Sequence, residues 1–329
     1  MFLGYIHSFR ALAIFFIVAG HSIDAMLWNN NVEVSRLLRI FMSNGSVLFV
    51  FNAGYLFQHL SVKYVPKKYF IAKFKNVIVP YILVSIPTII AFVFFQERER
   101  VWEGFYDNPQ WLQVLSFYLT GRHLAPLWFI PMITIFFIVS PLLVYLDKRE
   151  KIYYLLPVFI VLSCFFFRGY PHESFIHFFS AYLLGMWSSR YKERLNLLFG
   201  TKPFLVISFL AIIILAIVEY SLMSGTMTWL NYLQKLSACL FFLGAFIFIG
   251  NINAPLITRI ADASFGIFFI HSYILTSMKI IYEKTAGTLP SGNILLYGFI
   301  TLFTLVSCYF IILFVQKLFG QNSRYLVGS

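Results

Sequence analysis

Apolar stretches of membrane-spanning length recur along this chain, separated by short polar breaks. They fall at about 5–27, 42–60, 77–96, 127–146, 152–167, 174–189, 203–223, 232–250, 262–282 and 294–318. A helix needs about 20 apolar residues to cross the hydrocarbon core. Inside that core every backbone polar group must be bonded within the protein, which selects helices or closed barrels. Runs of this length predict an all-α polytopic membrane protein with about ten transmembrane helices. The fifth and sixth runs are the shortest. Between the third and fourth lies 97–126, which opens with mixed charge (QERERVWEG). Within it, 111–119 is apolar but too short to span, and reads as an interfacial or re-entrant helix. No internal repeat or low-complexity linker divides the chain, so 1–329 reads as a single integral membrane domain.

Composition agrees. The chain is 60% hydrophobic and 12% charged, against about 25% charged for soluble domains. Its abundant Phe reads as lipid-facing, with Tyr and Trp in interfacial belts. Cys164, Cys239 and Cys308 lie in apolar runs with no metal-ligand or disulfide spacing, and read as packing residues. No metal site is expected. The first run lacks a basic leader and a small-residue cleavage site, and reads as a retained span.

A net charge of +12 can mark a nucleic-acid binder, but its distribution points to topology instead. Lys63, Lys67, Lys68, Lys73, Lys75, Lys148, Arg149, Lys151, Arg190, Lys192, Arg194, Lys202, Arg259, Lys317 and Arg324 fall in the even-numbered connections and the C-terminal tail. The opposite set is sparser: Arg36, Arg39, Arg98, Arg100, Arg122, Arg168, Lys235, Lys279 and Lys284. Basic loops stay cytoplasmic. Both termini are therefore expected in the cytoplasm, with the lipid bilayer as partner and no nucleic acid.

Two ionisable side chains interrupt the first run, YIHSFRALAIFFIVAGHSIDAMLW: Arg10 and His21. Arg at a bilayer centre costs roughly 2.5–3.5 kcal/mol on insertion scales, so such groups usually face the protein interior. Their separation is close to three helical turns. Both would point from one face, ~16 Å apart along the axis, toward a common interior space. Arg10 would lie in the cytoplasmic half and His21 in the outer half. His21 suits a general base that takes a proton from an attacking hydroxyl, or it is a histidine satisfied by a backbone carbonyl. Asp24, three residues on, can fix its tautomer, or it marks the water boundary. Arg10 can clamp a phosphate or carboxylate, or serve an interhelix ion pair. The lysines of KKYFIAKFKNVIVP, among them Lys73 and Lys75, can hold the phosphates of a cosubstrate or simply set topology. Asn52, His177 and His271 are polar residues inside spans that can line a substrate path or bond helix to helix. Arg122 precedes the fourth span, and Trp128 there can stack on a sugar or anchor at the interface. No G-x-S-x-G, H-E-x-x-H, phosphate-loop or dinucleotide fingerprint is present.

Several segments, in order, resemble the acyltransferase 3 family of bacterial membrane enzymes. The first is Arg10-ALAIFFIVAG-His21. It is followed by SVLFVFNAGYLF (46–57), KFKNVIVPY (73–81), LWFIPMITIFFIVSPLL (127–143) and SFGIFFIHSYIL (264–275). The family usually has arginines where this chain has Lys73 and Lys75, with Asn76 close to where another basic residue is common, and the extra C-terminal domain of some relatives is not expected here. The resemblance implies a multi-pass enzyme of the bacterial inner membrane. It would transfer an acyl group, commonly acetyl from acetyl-CoA, to a hydroxyl of a lipid-linked or surface polysaccharide, with Arg10 and His21 essential. Acyl-CoA would be a cosubstrate, and no bound cofactor is implied. Succinyl transfer to an exopolysaccharide is an alternative. From the residues alone, a transporter or flippase for a glycan or small anion also stays open, because intramembrane Arg and His mark transport paths too.

Overall fold

The structure is a computed structural model that describes residues 3–99, 101–222, 228–250 and 255–329. Arg100, counted above for topology, lies outside the described residues. Among those residues there is no strand; a single parallel bridge, Leu27 to Ser291, ties two loops together. The helices are α1 (Gly4–Ser22), α2 (Val32–Met42), α3 (Ser46–Leu60), α4 (Pro66–Lys73), α5 (Val79–Ile90), α6 (Gln110–Thr120), α7 (Phe129–Ile138) and α8 (Ser140–Arg149). They continue as α9 (Leu156–Phe165), α10 (Pro171–Arg190), α11 (Lys192–Phe199), α12 (Lys202–Ser221), α13 (Trp229–Ile249), α14 (Pro255–Ala286), α15 (Ile294–Phe319) and α16 (Ser323–Val327). The chain is an all-α polytopic membrane protein.

Seven helical stretches among the described residues are long and apolar enough to cross a bilayer, and α7 with α8, bent by 56°, make an eighth if counted as one broken span. The two short runs of the sequence become α9, only ten residues long, and α10, whose buried face carries His177, Ser180, Ser188 and Ser189. Those polar side chains lower its hydropathy although the helix is deeply packed. The apolar segment 111–119 forms the eleven-residue α6, which ends at Gly121. Gly121 has φ +68°, and a Cβ there would collide with the Leu127 carbonyl, so the turn into Trp128 needs glycine.

Local signals set the helix ends. Thr201, Thr228 and Asn293 accept from Phe204, Asn231 and Leu296 backbone N–H groups as N-caps. Proline opens α4, α9, α10 and α12, where its missing N–H costs nothing. Pro80 and Pro87 lie in α5, which is flanked by π-helical turns at Phe74–Ile78 and Ala91–Phe95.

Helix α1 is central and α12 peripheral. Of the most apolar window, 56% is buried in the first and 17% in the second. The exposed side of α12 is Val206, Ile207, Leu210, Ile214 and Ile217, a lipid-facing surface. Around α1 the bundle uses small residues to bring backbones together. A Cβ on Gly54 of α3 would strike the Tyr182 carbonyl of α10, and one on Gly185 would strike the Phe51 carbonyl. Gly20 of α1 faces the Met42 carbonyl, 3.0 Å from where its Cβ would stand. The end of α2 is held there by a buried cation: Lys235 Nζ donates to the Ile40 and Phe41 carbonyls at 2.8 Å each, and to Gln234 Oε1 at 2.7 Å. Asn231 adds a bond to the Ile40 carbonyl at 3.0 Å. An ammonium at a helix C-terminus satisfies carbonyls that the helix leaves open.

Candidate functional site

One end of α1 opens on a cavity of about 1490 Å³ lined by Arg10, Asn52, Lys63, Lys68, Lys73, Asp262 and the C-terminal segment, among others. Lys73 leaves the lipid side because its ammonium finds aromatic faces, 5.2 Å from the Tyr69 ring centre and 4.8 Å from that of Phe137. Asp262 of α14 is the carboxylate that acts on Arg10. It also lies 3.5 Å from His7 Nε2, and that nitrogen is 3.3 Å from the Thr258 carbonyl. Asn52 donates to Leu48 O at 3.0 Å, while its own carbonyl oxygen is buried without a protein partner. Residues 320–325 and Ser329 form part of the wall, and Ser329 Oγ accepts from the Gly266 N–H at 2.8 Å. The N-terminal start of α1 and Ser329 therefore lie at the same end of the bundle. Lys75 is exposed and absent from the lining. Two residues after Lys73 on a helical path, it turns to the opposite side.

His21 is not among the residues lining this cavity, which corrects the expectation of one common interior space. The aromatic rings of Phe49, Phe129 and Phe268 close it, with centroid distances of 5.7 Å (Phe49–Phe129), 5.4 Å (Phe129–Phe268) and 6.3 Å (Phe49–Phe268). Phe49 and Phe129 line the cavity, whereas Phe268 reaches toward His271, 6.3 Å away. The layer arises because Phe268 precedes His271 by about one turn of α14.

Beyond the layer, the rings of His21 and His271 stand 5.3 Å apart at 43°. His271 Nδ1 is 2.9 Å from the Ile267 carbonyl. A carbonyl only accepts, so Nδ1 carries the proton and Nε2 keeps its lone pair. That Nε2 is fully buried and has no partner in the protein. Asp24 does not orient His21. It sits in a 3₁₀ turn after α1, half exposed, with its carboxylate 2.8 Å from Arg39 Nη2.

His177 is fixed in the same tautomer: Nδ1 donates to Phe166 O at 2.7 Å and Ser163 O at 3.0 Å, closing the end of α9. Trp128 stacks on Phe178 at 5.7 Å on one side and receives the Arg168 guanidinium 4.6 Å from its ring centre. Arg122 lies over Tyr170 at 4.7 Å and near Trp102 at 5.8 Å. The charge of Arg168 acts on both His21 and His177. Sequence reasoning grouped Arg10 with His21 but missed Arg168 and Asp262. The signal for Arg168 was its place at the end of an apolar run, FFFRGYP, where it counted only as a topogenic charge.

A bundle with a cation-lined cavity at one end of a helix and an imidazole pair toward the other is laid out for group transfer inside a membrane. Residues 3–313 match the family described as an acyltransferase domain, and the chain belongs to that acyltransferase 3 family. It is a multi-pass membrane acyltransferase. No curated protein and no solved structure matches it.

Proposed function

We propose that this enzyme moves an acetyl group from acetyl-CoA to a hydroxyl of a lipid-linked or surface polysaccharide, in the inner membrane of a bacterium. The observation that carries the reading is the division of α1 between two chemistries: Arg10 in a basic cavity and His21 against His271 beyond an aromatic layer. The basic loops support a cavity mouth on the cytoplasmic side, where acyl-CoA is available. Arg10 and Lys73 hold its anionic groups by charge-assisted bonds, and Asn52 offers an acceptor to the pantetheine amides. Lys63 and Lys68 take the phosphate-binding place first assigned to Lys75, since they line the cavity and Lys75 does not. The thioester then passes between Phe49, Phe129 and Phe268.

At the imidazole pair, His271 serves in the role expected of Asp24. Its Nε2, unpartnered at rest, takes an N–H from His21 once substrate is bound, which leaves the other nitrogen of His21 as base. His21 takes the hydroxyl proton as oxygen attacks the acyl carbon. The C–S bond breaks, the ester C–O bond forms, and the imidazolium returns its proton to the departing thiolate.

The test uses cells lacking the gene. Complementation with the wild-type chain should restore an acetyl mass increment to surface glycans. His21→Ala should accumulate in the membrane to wild-type level and restore none. Full acylation by His21→Ala would overturn the reading, and an increment matching succinyl would move the donor assignment alone.

A further inference from the structure

Two arginines at the His21 end stack on aromatic rings without meeting a carboxylate. Arg168 lies on Trp128, and Arg122 lies on Tyr170 and near Trp102. Among the described residues no Asp or Glu oxygen comes within ion-pair distance of either, whereas Arg36, Arg39 and Arg190 each face one. The contrast with Arg39 and Arg190, each bonded to an acid, is informative. A guanidinium stacked on a ring keeps its in-plane N–H groups free, the geometry that binds carboxylate or phosphate in a bidentate way. Arg168 lies on Trp128, and of the two arginines it is the one whose charge acts on His21 and His177. An unpaired guanidinium there is costly unless a ligand supplies the charge.

We infer that Arg168 is the anchor of an anion site beside His21, and that the acceptor it holds is an acidic glycan. Tyr170 follows Arg168 by two residues and lies 6.2 Å from Trp102, so aromatic faces alternate with guanidinium groups from Trp128 to Trp102. The faces of Trp128 and Tyr170 are already taken by Phe178, His172 and the two guanidinium groups, so what the row offers a ligand is guanidinium N–H groups held in place by the rings, and an acidic substituent is what they bind. An acyl donor alone would not need a track of this length. The inference rests on the acyltransferase reading for its acceptor, but the anion site can be measured without any reaction.

The probe is unacylated surface glycan extracted from cells lacking the gene. It is used intact, after reduction of its carboxylates to alcohols, or after removal of its phosphates with hydrogen fluoride. Binding to purified full-length protein in nanodiscs is measured across salt concentrations, and acetyl transfer in parallel. Intact glycan should bind the wild type, and more weakly as salt rises. Arg168→Gln should weaken binding about tenfold to a hundredfold and raise KM for glycan with KM for acetyl-CoA unchanged. Arg168→Lys should recover part of the loss, which a folding defect would not. Loss on carboxyl reduction identifies a carboxylate, and loss on phosphate removal identifies a phosphodiester or lipid diphosphate. Equal binding of all three glycans, or an Arg168→Gln defect that persists with a neutralised glycan, would overturn the anion site. Normal salt-dependent binding without any acetyl transfer would instead sink the reading of acetyl transfer to this glycan and leave the site standing.

Discussion

His271 presents an unprotonated, unpartnered Nε2 within reach of the His21 ring, 5.3 Å away centre to centre. The tautomer is not free to change, because the opposite nitrogen donates to the Ile267 carbonyl one turn back on α14. A lone pair held this way is a substitute for the carboxylate that usually orients a catalytic imidazole. It carries no charge, which suits a site where the Arg168 charge already acts on the His21 ring.

The pair predicts a particular pattern of loss. His271→Ala should lower kcat about tenfold to a hundredfold, with the KM values near wild type, and His271→Gln should recover part because its amide oxygen can accept the same N–H. Asp24→Asn should stay within about twofold, since an exposed ion pair contributes about 0–1 kcal/mol. The double variant His21→Ala/His271→Ala should be no slower than His21→Ala alone, as groups acting in one unit are not additive. Single-turnover acetyl transfer by each purified variant checks this. An Asp24→Asn defect as deep as that of His271→Ala would return the orienting role to the carboxylate.

At the other end of α1, Arg10→Ala should raise KM for acetyl-CoA about tenfold or more, the scale of a lost charged hydrogen bond. Arg10→Lys should recover little of it, because a planar fork and a point charge are not equivalent. Lys73→Ala should fall between Arg10→Ala and Lys75→Ala, the last being close to wild type because Lys75 is exposed outside the cavity. Initial rates at varied acetyl-CoA, at low and moderate salt, rank the three.

Much of this was legible in the sequence, and what was not has a physical cause. Arg10 and His21 stood out because charge within an apolar run is expensive. The partners of each were hidden, because they come from α14, some 250 residues away along the chain. Asp24 was placed beside His21 by helical spacing. However, α1 ends at Ser22 and the 3₁₀ turn swings Asp24 toward Arg39. Spans were readable from hydropathy where helices face lipid, as in α12 and α15. They were less readable in α10, where buried serines lower the hydropathy and Ser180 and His177 bond to neighbouring helices. The aromatic layer was invisible for a simpler reason: Phe49, Phe129 and Phe268 are three of 40 phenylalanines in the chain.

The close approach of α3 and α10 yields a stability prediction. Gly54→Ala or Gly185→Ala places a methyl group on a backbone carbonyl that has no flexible end to move. Overpacking of this kind costs about 1–3 kcal/mol, so the thermal transition in detergent should drop. Gly298→Ala in α15 has nothing within 4 Å of the new methyl group. It should be neutral or slightly stabilising, because alanine exceeds glycine in helix propensity by about 1 kcal/mol. A fluorescence-detected melting series on the three variants reads the contrast.

Phe49 and Phe129 line the cavity, and Phe268, packed on both, lies next to His271 of the imidazole pair. If His21 activates a hydroxyl, it can also activate water, and acetyl-CoA would then be hydrolysed without an acceptor. Keeping water from the base is therefore the physical work left for a ring layer that substrate must nonetheless cross. Phe268 is 2% exposed, so Phe268→Ala would remove a large buried side chain and cost about 3–5 kcal/mol. Phe268→Leu keeps most of the volume and is the better variant. It should raise acceptor-independent release of CoA severalfold while acetyl transfer to glycan changes less, and adding His21→Ala should abolish the leak. Release of CoA at the wild-type rate by Phe268→Leu and Phe49→Leu alike would mean that the rings only pack the bundle and that water is excluded elsewhere.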